Sequence, residues 1–185
     1  MSAQAIEQTQ KWLREVILGL ELCPFARQPV EKDAVRYVAV NAKNMTAMLT
    51  YVYNECSLLD QKSVDELETT LLIVTDILRD FREYNEFLGV LEDFLKEHDW
   101  EGVYQIASFH PEYQFQGTAP ADRENYTNRS PYPIFHLIRE ASLEKALACY
   151  PDVESIPEKN IHRIESLSEP DFKSRFAYLA NHLRP

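Results

Sequence analysis

His110, Arg129, His136, Arg139 and Glu140 all fall between Ala107 and Ser142, in the stretch ASFHPEYQFQGTAPADRENYTNRSPYPIFHLIREAS. A histidine near neutral pKa, oriented by a carboxylate, is the usual proton-transfer unit. His136 and Glu140 stand four apart, one above the other on a helix, which gives a candidate unit with His110 as a second imidazole. Arg129 and Arg139 would add forked donors for a carboxylate or phosphate. Between them, Asn125, Tyr126, Asn128 and Ser130 supply polar and aromatic groups for a substrate. Ser130 before Pro131 reads as an N-cap with proline at the first helical position, and a helix end there would favour an anion. The competing reading spends the same residues on the loop itself. Asn125 and Asn128 then satisfy turn backbone, and the arginines pair with Glu112, Asp122 or Glu140. His110, His136 and Glu140 could also form a two-histidine, one-carboxylate metal site. No HExxH pair is present, so no metal is assigned.

Four of the ten prolines, Pro111, Pro120, Pro131 and Pro133, lie in this stretch. Each fixes a φ angle in advance, and long ordered loops are often functional. The elements around it follow from periodicity. Ile6, Leu13, Val16, Ile17 and Leu20 predict a helix from Ala3 to Leu22, ended by Pro24. Val35–Val40 reads as a strand, and Met45, Met48, Leu49, Val52, Cys56 and Leu59 mark a second helix. Thr69–Thr75 is a buried strand with no polar alternation. Asp80 with Glu83 opens a third helix whose stripe is Tyr84, Phe87, Leu88, Leu91, Phe94 and Leu95. Val103–Phe109 is the next strand. Strand, helix, strand, helix, strand predicts an α/β fold with a small three-stranded, mainly parallel βαβαβ sheet, flanked by helices. Pro133–Cys149 reads as a helix, or else Ile134–Arg139 is a fourth strand with the helix starting at Ser142. Two terminal helices begin near Ser155 and Ser168, with Phe172, Phe176, Leu179 and Leu183 inward on the last. One domain over residues 1–185 is expected: an N-terminal helix to 22, a core from 34 to 150 and a helical extension from 151. Ligands of open parallel sheets bind beyond the carboxyl ends of the strands, here near Asn41, Asp76 and His110.

The bulk numbers exclude several classes. The net charge is −11, and Val64–Glu101 alone holds twelve acidic against three basic residues. Such a surface repels phosphate backbones, so nucleic acid is not an expected partner. No apolar run approaches a bilayer span, and the N-terminus lacks a secretory pattern, so neither membrane nor export is expected. Four glycines, with no GxGxxG and no GxxxxGK[ST], leave no Rossmann or Walker site. Cys23, Cys56 and Cys149 are widely spaced and odd in number, as in a reducing cytosol. Each reads as packing. His98, His162 and His182 read as surface residues.

The strings GLELCPFA (Gly19–Ala26), TTLL (Thr69–Leu72), ASFHP (Ala107–Pro111), NYTNRSPYP (Asn125–Pro133) and HLIREAS (His136–Ser142) resemble an uncharacterised bacterial family of similar length, classed as a domain of unknown function. The resemblance covers most of the chain. It implies a cytosolic bacterial protein and brings no assigned catalytic residue and no cofactor. The residues themselves point to an enzyme acting on a small anionic metabolite by acid–base hydrolysis or group transfer. Arg129 and Arg139 would clamp the anion while His110 or His136 moves a proton. The alternative is a non-enzymatic binding or protein-interaction module that uses the 110–140 loop, with Tyr113, Tyr126 and Tyr132 as anchors. No feature of the sequence specifies an oligomeric state.

Overall fold

The computed structural model describes residues 2–180; His182 and Leu183 lie outside the described residues. Helix α1 (Ser2–Trp12) passes without a break into π-helical turns over Leu13–Leu18. Gly19 ends them. A Cβ there would collide with the Glu15 carbonyl oxygen, so the position needs glycine. A short helix, α2 (Arg27–Glu31), precedes strand β1 (Val35–Val40). Then follow α3 (Met45–Gln61), β2 (Thr69–Val74), α4 (Phe81–Glu97) and β3 (Tyr104–Phe109). Both long helices start where side chains replace missing backbone acceptors. Asn44 accepts from Ala47 N at 2.8 Å, and Asp80 accepts from Arg82 N and Glu83 N at 2.9 and 3.0 Å.

The α/β class holds, but the sheet has four strands. Ile134–Arg139 is strand β4, and the helix after it, α5 (Glu140–Ala148), starts where the strand ends. The order is β1-β2-β4-β3. β1 runs parallel to β2, while β4 is antiparallel to both β2 and β3. The three strands expected to be parallel do share one direction. The expectation of a three-stranded sheet is corrected because β4 inserts between β2 and β3 and separates them. Its sequence, IFHLIR, is apolar on both faces except at His136 and Arg139, as befits a strand covered on each side, and so shows no alternation.

One sheet face carries Leu72, Val74, Phe135 and Leu137, packed under α3 (Met48, Val52, Cys56, Leu59) and α4 (Tyr84, Phe87, Leu91, Leu95). The other carries Leu71, Ile73 and Ile134. Against it lie Ala5 and Trp12 of α1, the π turns (Leu13, Val16, Ile17) and the C-terminal segment (Ile164, Phe176, Leu179). That segment comprises α6 (Ile156–Glu165) and α7 (Glu169–Arg175), the latter capped by Ser168. Glu55 is a buried carboxylate on α3, and Arg36 meets it with two hydrogen bonds of 2.8 and 3.2 Å. No described helix is long and apolar enough to cross a membrane.

Tyr84 fastens the inserted strand to its neighbour. Its hydroxyl donates to Ile134 O at 2.7 Å and accepts from Phe109 N at 3.1 Å, where Ile134 and Phe109 face each other in register. Tyr84→Phe would strand a carbonyl and an N–H in a buried place, at about 1–3 kcal/mol. Urea denaturation should show that loss with an unchanged slope; a loss below about 0.5 kcal/mol would mean that the hydroxyl bridge contributes little.

Candidate functional site

The loop between β3 and β4 folds back on itself and spends its polar groups internally. Asn125, fully buried, accepts from Phe115 N (2.9 Å) and Thr118 Oγ1 (2.8 Å) and donates to Ala119 O (2.8 Å). Asn128 donates to Ser108 O and accepts from Thr127 Oγ1, each at 3.2 Å. Tyr126 packs edge-on against Phe172 and Phe176. His110 is buried: its Nδ1 accepts from Glu112 N at 3.0 Å, which leaves Nε2–H to donate to Leu78 O at 3.2 Å. Ser130 donates to Tyr132 O. It caps no helix, because the chain runs on into β4, so the anion-favouring helix end expected there does not form.

The two arginines are kept apart. Arg129 is 2% exposed, with Nε on Tyr113 O, Nη2 on Pro120 O and its guanidinium 4.3 Å above the Tyr126 ring. Burial lowers its pKa from the usual guanidinium value. Its Nη1 has no hydrogen-bond partner among the described residues, and its own carbonyl accepts from Trp12 Nε1 and Tyr178 OH. Arg139 closes the opposite end of β4. There it donates to the carbonyls of Leu59, Lys62 and Leu67, capping the end of α3 and the turn after it. Neither meets a carboxylate among the described residues. The clamp expected from Arg129 and Arg139 is not assembled.

His136 does not meet Glu140 either. On a strand the four-residue spacing no longer stacks them, and Glu140 lies at the start of α5, its N–H on Val103 O. The partner of His136 is Thr69, across the β2–β4 pairing, with Nε2 and Oγ1 2.6 Å apart. The Thr69 hydroxyl is also 2.5 Å from Leu137 O. A carbonyl can only accept, so the single hydroxyl proton goes to Leu137 O, and His136 Nε2 must donate to Thr69. The imidazole is then the Nε2–H tautomer, and Nδ1 carries a lone pair with no protein partner among the described residues.

His136 and Thr69 lie on the floor of a cavity of about 700 Å³. Small-molecule sites commonly span about 300–1,000 Å³. Its walls come from segments far apart in sequence: Trp12, Leu13 and Ile17 from α1 and the π turns, Cys23 and Phe25 after them, Leu71, Phe109 and Ile138 from the sheet, Ala146 from α5. The walls are mostly apolar. π-helical turns are rare and concentrate at functional sites, and here they line this space. His136 is legible in the sequence as a candidate, whereas Thr69 and the cavity are not. A threonine opening an apolar strand was the available signal.

A family model described as a protein of unknown function (DUF1415) matches residues 4–174. The chain belongs to this family. No curated protein and no solved structure matches it. DUF1415 membership therefore assigns no role to the cavity, and its chemistry rests on the side chains within it. No group of three or more His, Cys, Asp or Glu among the described residues is arranged to hold a metal ion. Cys23 lies in the wall, and burial pushes its thiol pKa up, toward the protonated form.

Burial pushes the His136 pKa down from 6.5 to about 4. His136 is half-buried and lines the cavity. Unfolding restores the ordinary value, so between about pH 6.5 and 4 the unfolded chain binds the extra proton. Stability is then lost as the pH falls through that window. His136→Phe removes the titration and leaves the Thr69–Leu137 hydrogen bond in place. From pH 7.5 to 4.5 the natural protein should lose up to about 2.5 kcal/mol more than this variant in denaturant titrations; equal losses would show that His136 titrates alike in both states.

Proposed function

We propose that this protein binds a small, largely apolar organic molecule in the cavity between the sheet and its N-terminal segment. The observation that carries this reading is the cavity itself: about 700 Å³, mainly apolar walls, and one paired polar group on its floor. An apolar enclosure with few, fixed polar groups is the form that small-molecule sites take. The floor is rigid, since His136 and Thr69 stand on the two central strands, each bonded on both sides. The walls come from α1, the π turns, α5 and the sheet itself.

The reading is of binding rather than turnover. A thiol nucleophile needs a lowered pKa, and burial raises that of Cys23. A general base works best with a pKa near the operating pH, whereas His136 is held near 4. Its carboxylate partner is missing, and the loop residues that would have bound an anion are engaged with their own backbone. What remains is a hydrogen-bonding floor under an apolar volume.

The test is a blocked cavity. Nile red, an uncharged dye whose emission rises in apolar surroundings, should bind the natural protein with saturable enhancement. Ala146→Trp places an indole into the space from α5. The variant should keep its far-UV spectrum and bind the dye at least about tenfold more weakly, a difference of about 1.4 kcal/mol. Unchanged affinity in the variant would place the dye elsewhere and count against this reading.

A further inference from the structure

The polar groups of the cavity bear on the head group a ligand can carry, a question that rests on the binding reading above. Four observations bear on it. First, the Thr69 hydroxyl fixes the imidazole as the Nε2–H tautomer by giving its own proton to Leu137 O. Second, His136 lines the cavity, and its Nδ1 is thereby a lone-pair acceptor that meets no donor among the described residues. Third, the charged residues lining the cavity are Lys32, Lys145, Asp65 and Glu68, two of each sign. Lys32 is already paired to Asp65 at 2.9 Å. Fourth, Arg129 and Arg139 donate to carbonyls elsewhere and do not line this space.

We infer that the ligand is uncharged and presents a hydroxyl or amide N–H donor to His136 Nδ1 beneath an apolar body, as an alkylphenol or a long-chain alcohol does. A carboxylate or phosphate oxygen would meet a lone pair at His136 Nδ1 instead of a proton, and the two lysines of the lining are balanced by Asp65 and Glu68. An aprotic ligand would fit the volume but leave Nδ1 without a donor once water is displaced. Thr69 is a positioning residue: it touches the imidazole, and through it decides which nitrogen carries the lone pair.

Calorimetric titration at pH 7.5 of para-propylphenol, its methyl ether and para-propylbenzoate separates the possibilities, since the three share one apolar body. The phenol should bind about tenfold tighter than the ether, the usual worth of one hydrogen bond to a buried acceptor. The benzoate should bind more weakly than either. His136→Phe should erase the phenol-to-ether ratio while keeping the ether's affinity within about threefold. Thr69→Val should shrink the ratio and release the tautomer, visible as a change in the two imidazole nitrogen shifts. Equal affinities of phenol and ether, or a tightest-binding benzoate, overturn this inference and leave the cavity reading standing. If none of the three binds at millimolar concentration, the cavity reading falls, and this inference with it.

Discussion

Strand β4 exchanges backbone hydrogen bonds with β2 on one side and β3 on the other. Without it the sheet would be a two-stranded parallel pair and an unattached strand, each too small to hold a core. Both cores depend on its alternation. Phe135 and Leu137 enter the one roofed by α3 and α4, and Ile134 enters the one closed by α1 and the C-terminal segment. The strand is also fastened at each end by a side chain. Tyr84 bridges its start to β3, and Arg139 ties its end to the carbonyls behind α3. A guanidinium suits the second task because its donors form a planar fork that reaches several carbonyls at once.

The long crossing from β3 back to β4 explains why the loop is so polar. It must leave the sheet after Phe109, turn through the prolines and return antiparallel at Ile134, and over that course no ladder satisfies its backbone. Side chains do so instead. Asn125 alone engages three backbone or side-chain partners, and the buried guanidinium of Arg129 collects two carbonyls. A cation without a carboxylate is costly to bury, and the face of Tyr126 beneath it supplies part of the compensation. The density of histidine, asparagine and arginine that marks a site in the sequence is here largely the cost of an ordered, irregular backbone.

The helices with a single buried stripe are legible, that at Asp80 through its cap as well, and so are the strand Val35–Val40 and the continuous β-branched and apolar run Thr69–Val74, buried on both faces. The common direction of β1, β2 and β3 follows from the helices that join them. β4 was ambiguous, because a strand covered on both faces shows neither helical nor strand period, and only pairing with β2 and β3 decides it. That ambiguity carried into the site. Read as a helix, Ile134–Arg139 would put His136 on one face with Glu140. As a strand it sends His136 to Thr69 and Arg139 to the opposite sheet face. The cavity could not be read from sequence at all, since its walls are ordinary apolar residues drawn from α1, β2, β4 and α5. Apolar residues carry no mark that separates the lining of a space from the filling of a core.

A histidine on a strand flanked by apolar residues costs desolvation, and most such residues recover it by engaging both ring nitrogens. His110 does so, with a backbone N–H on one nitrogen and a carbonyl on the other. His136 recovers half, through Thr69. Arg129 Nη1 likewise has no partner among the described residues, but it is buried beneath its loop. His136 is the contrasting case, a half-engaged group that opens on a volume large enough for a molecule. Stability alone would be served as well by a leucine or phenylalanine at that position, packed like Ile134 and Ile138 on either side. The imidazole gives the apolar floor one fixed acceptor, and an acceptor held there has use only for a donor that arrives with a ligand.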